Sequence, residues 1–145
     1  MRVQIKKLTP QAQLPTRGSA QAAGYDLYAA TTEVIAIPAH TTTKVGTGVA
    51  VSIPDGYFGG IFARSGLATK QSLRPANCVG VIDSDYTGEL IVALHNDSDE
   101  PREIQAGERI AQLVILPYLT VEFDEVDELE ETQRGAGGFG STGKH

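Results

Sequence analysis

The chain has 145 residues, of which 41% are hydrophobic, and its formal net charge is -6. This length suits one domain with its own core, and no apolar run is long enough to cross a bilayer. The 12 Lys and Arg residues form no cluster, which argues against a nucleic-acid partner but not against a bound nucleotide.

The first part of the chain carries short strand patterns separated by proline and glycine. Residues 3–6 alternate apolar and polar side chains, and so does the segment 25–30, in which Asp26 falls on the side away from the core. The alternation alone favours Asp26 as an ordinary exposed strand residue. A third strand is predicted at 34–37, where Pro38 stops it.

A long strand and a turn are predicted next. Residues 41–51 are rich in Thr and Val, which suit a pleated strand, and the glycines at 46 and 48 indicate a bulge within it. The Pro-Asp-Gly sequence at 54–56 lies between two apolar runs and predicts a hairpin turn.

Arg64, Ser65 and Gly66 adjoin at the predicted end of the following strand. A guanidinium presents a planar fork of donors that matches phosphate oxygens, and Ser65 and the backbone at Gly66 would add further donors. The same residues can also begin a helix that Ser65 caps. The two interpretations are compatible, so both are kept.

The stretch 79–96 predicts the central β-hairpin of the chain. An apolar run at 79–82 enters it, short polar residues and a glycine supply a turn, and a second apolar run at 90–94 leaves it. Asp83 follows the first run, where a carboxylate can orient or deprotonate a water, and the Tyr86 ring offers a face to a sugar or a base. The residues alone favour the plainer interpretation, a hairpin tip with solvated aspartates.

Residues 110–116 are almost continuously apolar, which indicates an internal strand. Gln112 is their single polar interruption, so its amide is either bonded within the protein or aimed at a ligand. The segment 121–131 is acidic, and its apolar residues fit neither a strand nor a helix well. We therefore expect a solvated or partner-covered arm there.

The tail, residues 134–145, is rich in glycine. It partly matches the dinucleotide-binding fingerprint and the P-loop, but both motifs need a following helix, for which too few residues follow. Its glycine amides can still converge on an anion, with charge from Arg134, hydroxyls from Ser141 and Thr142, and the Phe139 ring on a base. Such a tail would be disordered when empty and close over a ligand; the alternative is a frayed terminus.

Many short strands, frequent turn residues and almost no helical pattern predict an all-β fold, a distorted jelly-roll sandwich or barrel. We divide the chain into a β domain with a C-terminal arm, residues 1–133, and a flexible Gly-rich lid, residues 134–145. Cys78 is the only cysteine, and the N-terminus lacks a signal peptide's apolar stretch. We expect a cytoplasmic protein, or a nuclear or organellar one in a eukaryote. The scattered histidines suggest no zinc site.

Five motifs in order resemble those of the homotrimeric dUTPases (dUTP diphosphatases) along essentially the whole chain. They are AGYDL at 23–27, RSGLA at 64–68, GVIDSDYTG at 80–88, GERIAQL at 107–113 and RGAGGFGSTG at 134–143. The resemblance implies a dUTPase-like, β-clip type of fold and a homotrimer whose active sites are shared, with the tail reaching over from another chain. Glu108 stands where many relatives carry Asp, which keeps the charge.

The resemblance also implies a role for each candidate site residue. Asp83 would position and activate a water that attacks the α-phosphorus of dUTP, which releases pyrophosphate and leaves dUMP for thymidylate synthesis. Tyr86 would lie under the deoxyribose and reject ribonucleotides. The other implied contacts are with the uracil edge (Asn77, Gly80, Val81, Ile82), the sugar pocket (Ile91), the phosphates (Arg64, Ser65, Gly66, Gln112), and, from the tail, the uracil (Phe139) and the phosphate chain (Arg134, Gly140, Ser141, Thr142).

Magnesium is the implied cofactor. The triphosphate would carry most of its ligands, and Asp26 would reach it through a metal-bound water. The implied partners are dUTP and further copies of the chain, with no nucleic acid and no membrane.

Two alternative functions stay open. The dCTP deaminases share the implied fold and resemble the Ile82-Asp83 stretch, but their essential glutamate would fall at Ala93 here. They also tend to carry a second serine where this chain has Gly66. The other alternative is a β module that binds a nucleotide without catalysis.

Overall fold

The computed structural model describes residues 1–144 and confirms the all-β class. Two four-stranded antiparallel sheets share one core as an open sandwich, without closing into a barrel, and a two-stranded sheet lies beside them. The elements are β1 (Gln4–Lys7), β2 (Tyr25–Tyr28), β3 (Ile35–Ile37), β4 (Thr42–Ser52), β5 (Tyr57–Phe62), α1 (Ser65–Lys70), β6 (Leu73–Pro75), β7 (Gly80–Ile82), β8 (Glu89–Asn96), β9 (Arg102–Ile104) and β10 (Arg109–Pro117).

The strand order explains which sequence patterns are apolar throughout. One sheet has the order β1-β4-β8-β6, the second β2-β10-β5-β7, and the small sheet pairs β3 with β9. Strand β10 pairs with β2 on one side and β5 on the other, so its predicted internal position is confirmed. Strand β8 alternates buried and less buried residues, with Leu90, Val92 and Leu94 in the core. Each such side chain contributes about 1.5–3 kcal/mol on full burial.

The predicted bulge in β4 is present. The register of β4 against β8 shifts between Gly46 and Ala50. Gly48 has a φ of 68°, and a Cβ there would lie 2.7 Å from the Thr9 hydroxyl, so glycine is needed for both backbone and space. The Glu89 carboxylate accepts the Gly48 N–H at 2.9 Å. The bulge therefore fixes the first residue of β8.

Both predicted hairpins are wrong, although their turns exist. The turn at 54–56 is closed by the Tyr57 N–H on the Pro54 carbonyl at 3.2 Å, but it joins β4 and β5, which belong to different sheets. Likewise β7 pairs with β5, whereas β8 pairs with β4 and β6. Turn residues reverse the chain without choosing a partner strand, and in a sandwich a reversal can cross between the layers.

Helix α1 begins at Ser65, one residue earlier than it would if Ser65 were the N-cap. Arg64 is the N-cap, with extended backbone at φ -92° and ψ 131° and no side-chain cap bond. Its carbonyl accepts the Ala68 N–H at 3.0 Å, and buried Leu67 anchors the short helix against the core. The predicted helix start is confirmed, but Ser65 is the first helical residue and its side chain makes no cap.

The chain after β10 lies outside the sandwich. Residues 118–133 are exposed and contain no strand or helix, and Leu119 and Phe123 are 88% and 97% exposed. The described tail forms three successive turns, closed by Gly137 N–H on Arg134, Ser141 N–H on Gly138 and Gly143 N–H on Gly140. His145, the last residue of the predicted lid, lies outside the described residues. The described helix is far too short to cross a membrane.

Candidate active site

The first group of site residues surrounds Asp26 on β2. Asp26 is paired with Gln112 in the strand register, and Gln112 is paired with Phe62 of β5. One carboxylate oxygen of Asp26 accepts Arg64 Nε at 3.1 Å, and the other accepts Arg109 Nη1 at 3.4 Å. The Asp26 side chain is only 16% exposed, so its predicted exposure is wrong. Arg64, which lies after β5, and Arg109, the first residue of β10, cover the face of β2 that points away from the core.

This pairing fixes the orientation of the Arg64 side chain. Its Nε is bonded to Asp26 and its Nη1 lies 3.5 Å from the Arg109 carbonyl, which fixes the plane of the guanidinium. Two arginines and one carboxylate leave the group with one net positive charge. A pre-oriented guanidinium in a positive surrounding is suited to phosphate oxygens.

Sequence reasoning missed Arg109. Its position three residues before Gln112 gives no indication that it shares a carboxylate with Arg64. The β10 register against β2 shifts between Arg109 and Ala111, and this irregularity cannot be read from the residue types.

Gln112 and the residues at the start of α1 complete this group. Gln112 Nε2 donates to the Ala63 carbonyl at 2.9 Å, so the amide is bonded within the protein and lies beside the start of α1. A Cβ on Gly24 would stand 2.1 Å from Gln112 Oε1, so Gly24 leaves the space that the amide occupies. Ser65 and Gly66 are exposed at the helix start, where backbone N–H groups lack helical partners.

The second group lies on the connection between β7 and β8. Asp83 is exposed directly after β7, and its carbonyl accepts the Tyr86 N–H at 3.1 Å. The Tyr86 hydroxyl donates to the Glu89 carbonyl at 2.8 Å, which holds the ring on the turn. Ile91 of β8 is 45% exposed, although its neighbours Leu90 and Val92 are buried. The turn thus presents a carboxylate and an aromatic ring to solvent, and β8 presents the apolar Ile91 side chain.

The corner between β6 and β7 carries the residues predicted to meet the uracil. Gly80 is buried, and a Cβ there would lie 3.5 Å from Asn77 Nδ2, so these two residues are close together. Cys78 between them has a φ of 64° and closes the corner by donating its N–H to Pro75. Val81 is 62% exposed, and Ile82 is half-buried against the core.

An ion pair supports this corner. Arg74 donates from Nε and Nη2 to the two carboxylate oxygens of Asp97, at 2.7 and 3.1 Å, which ties β6 to the residue after β8. This hydrogen bonding lowers the pKa of Asp97 below its ordinary value and raises the pKa of Arg74. Both groups are therefore charged at neutral pH.

The strand register separates the two groups within one chain. Ile82 is paired with Gly59, and β7 runs antiparallel to β5, so Asp83 continues away from Arg64. Arg64 lies five residues beyond Gly59, which corresponds to about 17 Å of extended chain. The side chains of Asp83 and Arg64 from one chain therefore do not share a pocket.

The tail forms a third group by itself. Phe139 is fully exposed, and Arg134 Nε donates to the Gly137 carbonyl at 2.7 Å. The hydrogen bonds described for the tail stay within the segment 132–143. Gly140, Ser141 and Thr142 are exposed on its turns.

Asp26 is the site carboxylate that could interact with a magnesium ion. Among residues 1–144, no three His, Cys, Asp or Glu side chains come together as a metal site. Each oxygen of Asp26 accepts one guanidinium bond, and a carboxylate oxygen keeps a further lone pair for a water. Asp26 therefore keeps the capacity to accept a hydrogen bond from a water on Mg²⁺, an ion that usually retains several of its waters.

Comparison with known proteins identifies the family. The family model for dUTPase matches residues 10–143. The chain belongs to the dUTPase family. It is 48% identical to the deoxyuridine 5'-triphosphate nucleotidohydrolase of Nautilia profundicola, over 99% of the chain and 100% of the relative. It is 47% identical to the Candida albicans protein of the same name, over 94% of the chain and 85% of the relative.

Solved dUTPase structures agree with this assignment. The Staphylococcus bacteriophage 80alpha dUTPase with bound dUpNHpp superposes with a TM-score of 0.89 at 35% identity, over 98% of each chain. A variant of the phage phi11 dUTPase superposes with a TM-score of 0.81 at 29% identity, over 90% of this chain and 100% of that one, and is described as coordinating a structural Mg(II) ion. The dUTPase fold expected from the motifs is confirmed.

Proposed function

We propose that the protein hydrolyses dUTP to dUMP and pyrophosphate, and that a water attacks the α-phosphorus. The observation that carries this proposal is the exposed Asp83 carboxylate at the end of β7, on the same short turn as the Tyr86 ring. A carboxylate next to a sugar-binding face is placed to orient a water towards the adjacent phosphate. Membership of the dUTPase family supports the choice of dUTP as the substrate.

The phosphate chain would lie on the first group of residues. The pre-oriented Arg64 guanidinium, the Ser65 hydroxyl, the Gly66 N–H and the second amide hydrogen of Gln112 are the donors available there. Fixed donors of this kind stabilise the charge that develops on phosphate oxygens during the reaction. Magnesium bound to the triphosphate would add further positive charge, and Asp26 would hold it through a water.

The base and the sugar would lie on the second group. The backbone from Gly80 to Ile82 and the Asn77 amide would offer hydrogen bonds to the uracil edge, and Ile91 would line the sugar pocket. The Phe139 ring would cover the uracil, and the tail residues Arg134, Gly140, Ser141 and Thr142 would contact the phosphates. In this proposal residues 134–145 act as a lid on the β domain.

The distance between the groups supports an active site shared between subunits. Asp83 and Arg64 of one chain are separated along β5, yet both are needed around one triphosphate. A symmetric trimer would bring the second group of one chain to the first group of another. The exposed Leu119 and Phe123 of the arm suit a segment that a partner subunit covers. Cytoplasmic location remains part of the proposal.

The experiment that tests the reaction uses water enriched in ¹⁸O. Attack at the α-phosphorus places the label in dUMP, whereas attack at the β-phosphorus places it in pyrophosphate. We expect label in dUMP alone. Label in pyrophosphate would overturn the role proposed for Asp83. Ammonia release from dCTP would instead support a deaminase, although Ala93 on β8 offers no carboxylate for that reaction.

Replacing Tyr86 by Ala should relax the choice of sugar. Without the ring, the space beneath C2′ opens, and the ratio of kcat/KM for dUTP to that for UTP should fall about tenfold or more. The measurement is pyrophosphate release from each nucleotide in separate assays. Thr87→Ala, at an exposed position on the same turn, serves as the matched control. An unchanged ratio in the Tyr86 variant would refute the contact with the sugar.

A further inference from the structure

Gly88 lies against the hydroxyl end of the Tyr86 ring. A Cβ on residue 88 would stand 2.7 Å from the Tyr86 hydroxyl oxygen, 2.8 Å from Cζ and 3.1 Å from Cε2. Non-bonded carbon atoms pack best about 3.5–4.0 Å apart. Even one methyl group at position 88 is therefore incompatible with the present place of the ring.

The backbone at position 88 does not itself require glycine. The glycines with positive φ lie elsewhere, for example Gly48 and Gly56, so alanine can adopt the conformation of residue 88. The clash involves the far end of a side chain that is 44% exposed. The ring can move into solvent, so a larger residue at 88 displaces the ring and leaves the fold in place.

The hydroxyl end of the same ring is anchored to the sandwich through Glu89. The Tyr86 hydroxyl donates to the Glu89 carbonyl at 2.8 Å, and the Glu89 carboxylate accepts the Gly48 N–H of the β4 bulge at 2.9 Å. A Cβ on Gly46 would lie 2.8 Å from Glu89 Oε1, so the carboxylate also fills a closely fitted space. Because Glu89 cannot follow the ring, displacing the ring breaks its hydroxyl bond.

We propose that Gly88 is a positioning residue for sugar selection. The absence of a side chain at position 88 lets the Tyr86 ring lie close enough to the sugar to exclude a 2′-hydroxyl group. The inference rests on the proposed function, in which Tyr86 contacts the deoxyribose. The inference adds that the choice between deoxyribose and ribose depends on Gly88, two residues after Tyr86. The position of the Tyr86 ring is in turn fixed through Glu89 by the β4 bulge. The chemical group that is selected against is the 2′-hydroxyl of a uridine nucleotide.

The test compares the full-length protein with Gly88→Ala, Tyr86→Ala and the double variant, together with Gly18→Ala as a control. A Cβ on Gly18 meets nothing within 4 Å, and Gly18 has no assigned role. For each protein, kcat/KM is measured with dUTP and with UTP, and thermal unfolding reports the fold. We expect Gly88→Ala to lower the dUTP-to-UTP ratio by about 10- to 100-fold, because small misplacements of a positioning group have effects of this size.

The double variant separates this mechanism from a general structural effect. When the ring is already absent, Gly88→Ala should change the ratio less than about twofold, because the two positions act through one contact. An unchanged dUTP-to-UTP ratio in Gly88→Ala would overturn the inference. An equally large further fall of that ratio when Gly88→Ala is added to Tyr86→Ala would also overturn it. So would a Gly88→Ala protein that fails to fold. If the unmodified protein does not hydrolyse dUTP, the proposed function itself fails.

Discussion

Replacing Asp83 by Asn should lower kcat for dUTP by about 10³-fold while dUTP binding persists. Asparagine keeps the shape of the side chain but cannot accept a proton, and a positioned general base contributes about 10²- to 10⁴-fold. The measurement is single-turnover release of pyrophosphate, together with calorimetric binding of the non-hydrolysable analogue dUpNHpp. Asp83 is exposed directly after β7 and belongs to none of the described ion pairs, so the substitution removes none of them.

The chain offers a matched control two residues further on. Asp85 is an exposed carboxylate on the same turn, so Asp85→Asn makes the same change in charge without touching the proposed base. We expect this variant to stay within about twofold of the unmodified protein, as surface substitutions usually do. Equal losses in the two variants would show that turn charge matters rather than the base. Turnover within about tenfold in the Asp83 variant would show that another group activates the water.

Removal of residues 134–145 should leave a folded oligomer and reduce turnover at least about 10²-fold. All described strands end by Pro117, so the deletion removes no strand and none of the buried core. It does remove the Arg134 charge, the Phe139 ring and the segment that would exclude water from the closed site. Sedimentation reports the oligomer, and pyrophosphate release reports turnover. Normal turnover of the shortened chain would exclude the proposed lid.

Mixing two inactive chains tests whether the site is shared. The full-length Asp83→Asn chain still carries a tail, and the shortened chain still carries Asp83. If these parts meet across subunits, trimers assembled from both chains contain complete sites, and activity should recover on co-refolding. Each chain refolded alone is the control. No recovery in verified mixed trimers would contradict the proposal that the tail of one subunit closes over the Asp83 of another.

Patterns that depend on burial were predictable from the sequence. The almost unbroken apolar run of β10 predicted an internal strand, and it lies between β2 and β5. Gly46 and Gly48 predicted a bulge, and the register shift occurs there. In both cases the residue types respond directly to their local surroundings, so a single sequence carries the information.

Features that depend on a distant partner were not predictable. The Pro-Asp-Gly turn and the turn after Asp83 were interpreted as hairpins, but each carries the chain from one sheet to the other. Asp26 was expected to be exposed because the strand alternation places it away from the core, but two arginines from elements far along the chain cover it. A local residue pattern cannot predict a contact between residues so far apart in the sequence, and Arg109 was missed for the same reason.

The motif positions of the candidate site came from resemblance rather than from spacing. The structure brings Asp26, Arg64 and Gln112 together through the strand register, and it brings Asn77 close to Gly80. It keeps Asp83 and Tyr86 apart from the first group. The register holds these two groups apart within one chain, which is why we propose a site shared between neighbouring subunits.

Pyrophosphate release with magnesium, measured side by side with dUTP, dCTP, dTTP and UTP, tests the proposed function most directly. We predict release from dUTP alone, because the uracil edge would be read by the backbone at 80–82 and the sugar by Tyr86. Comparable release from UTP or dTTP would contradict these assignments. Release from none of the four would contradict the proposed hydrolysis, and binding of dUTP in that case would indicate a non-catalytic nucleotide-binding protein.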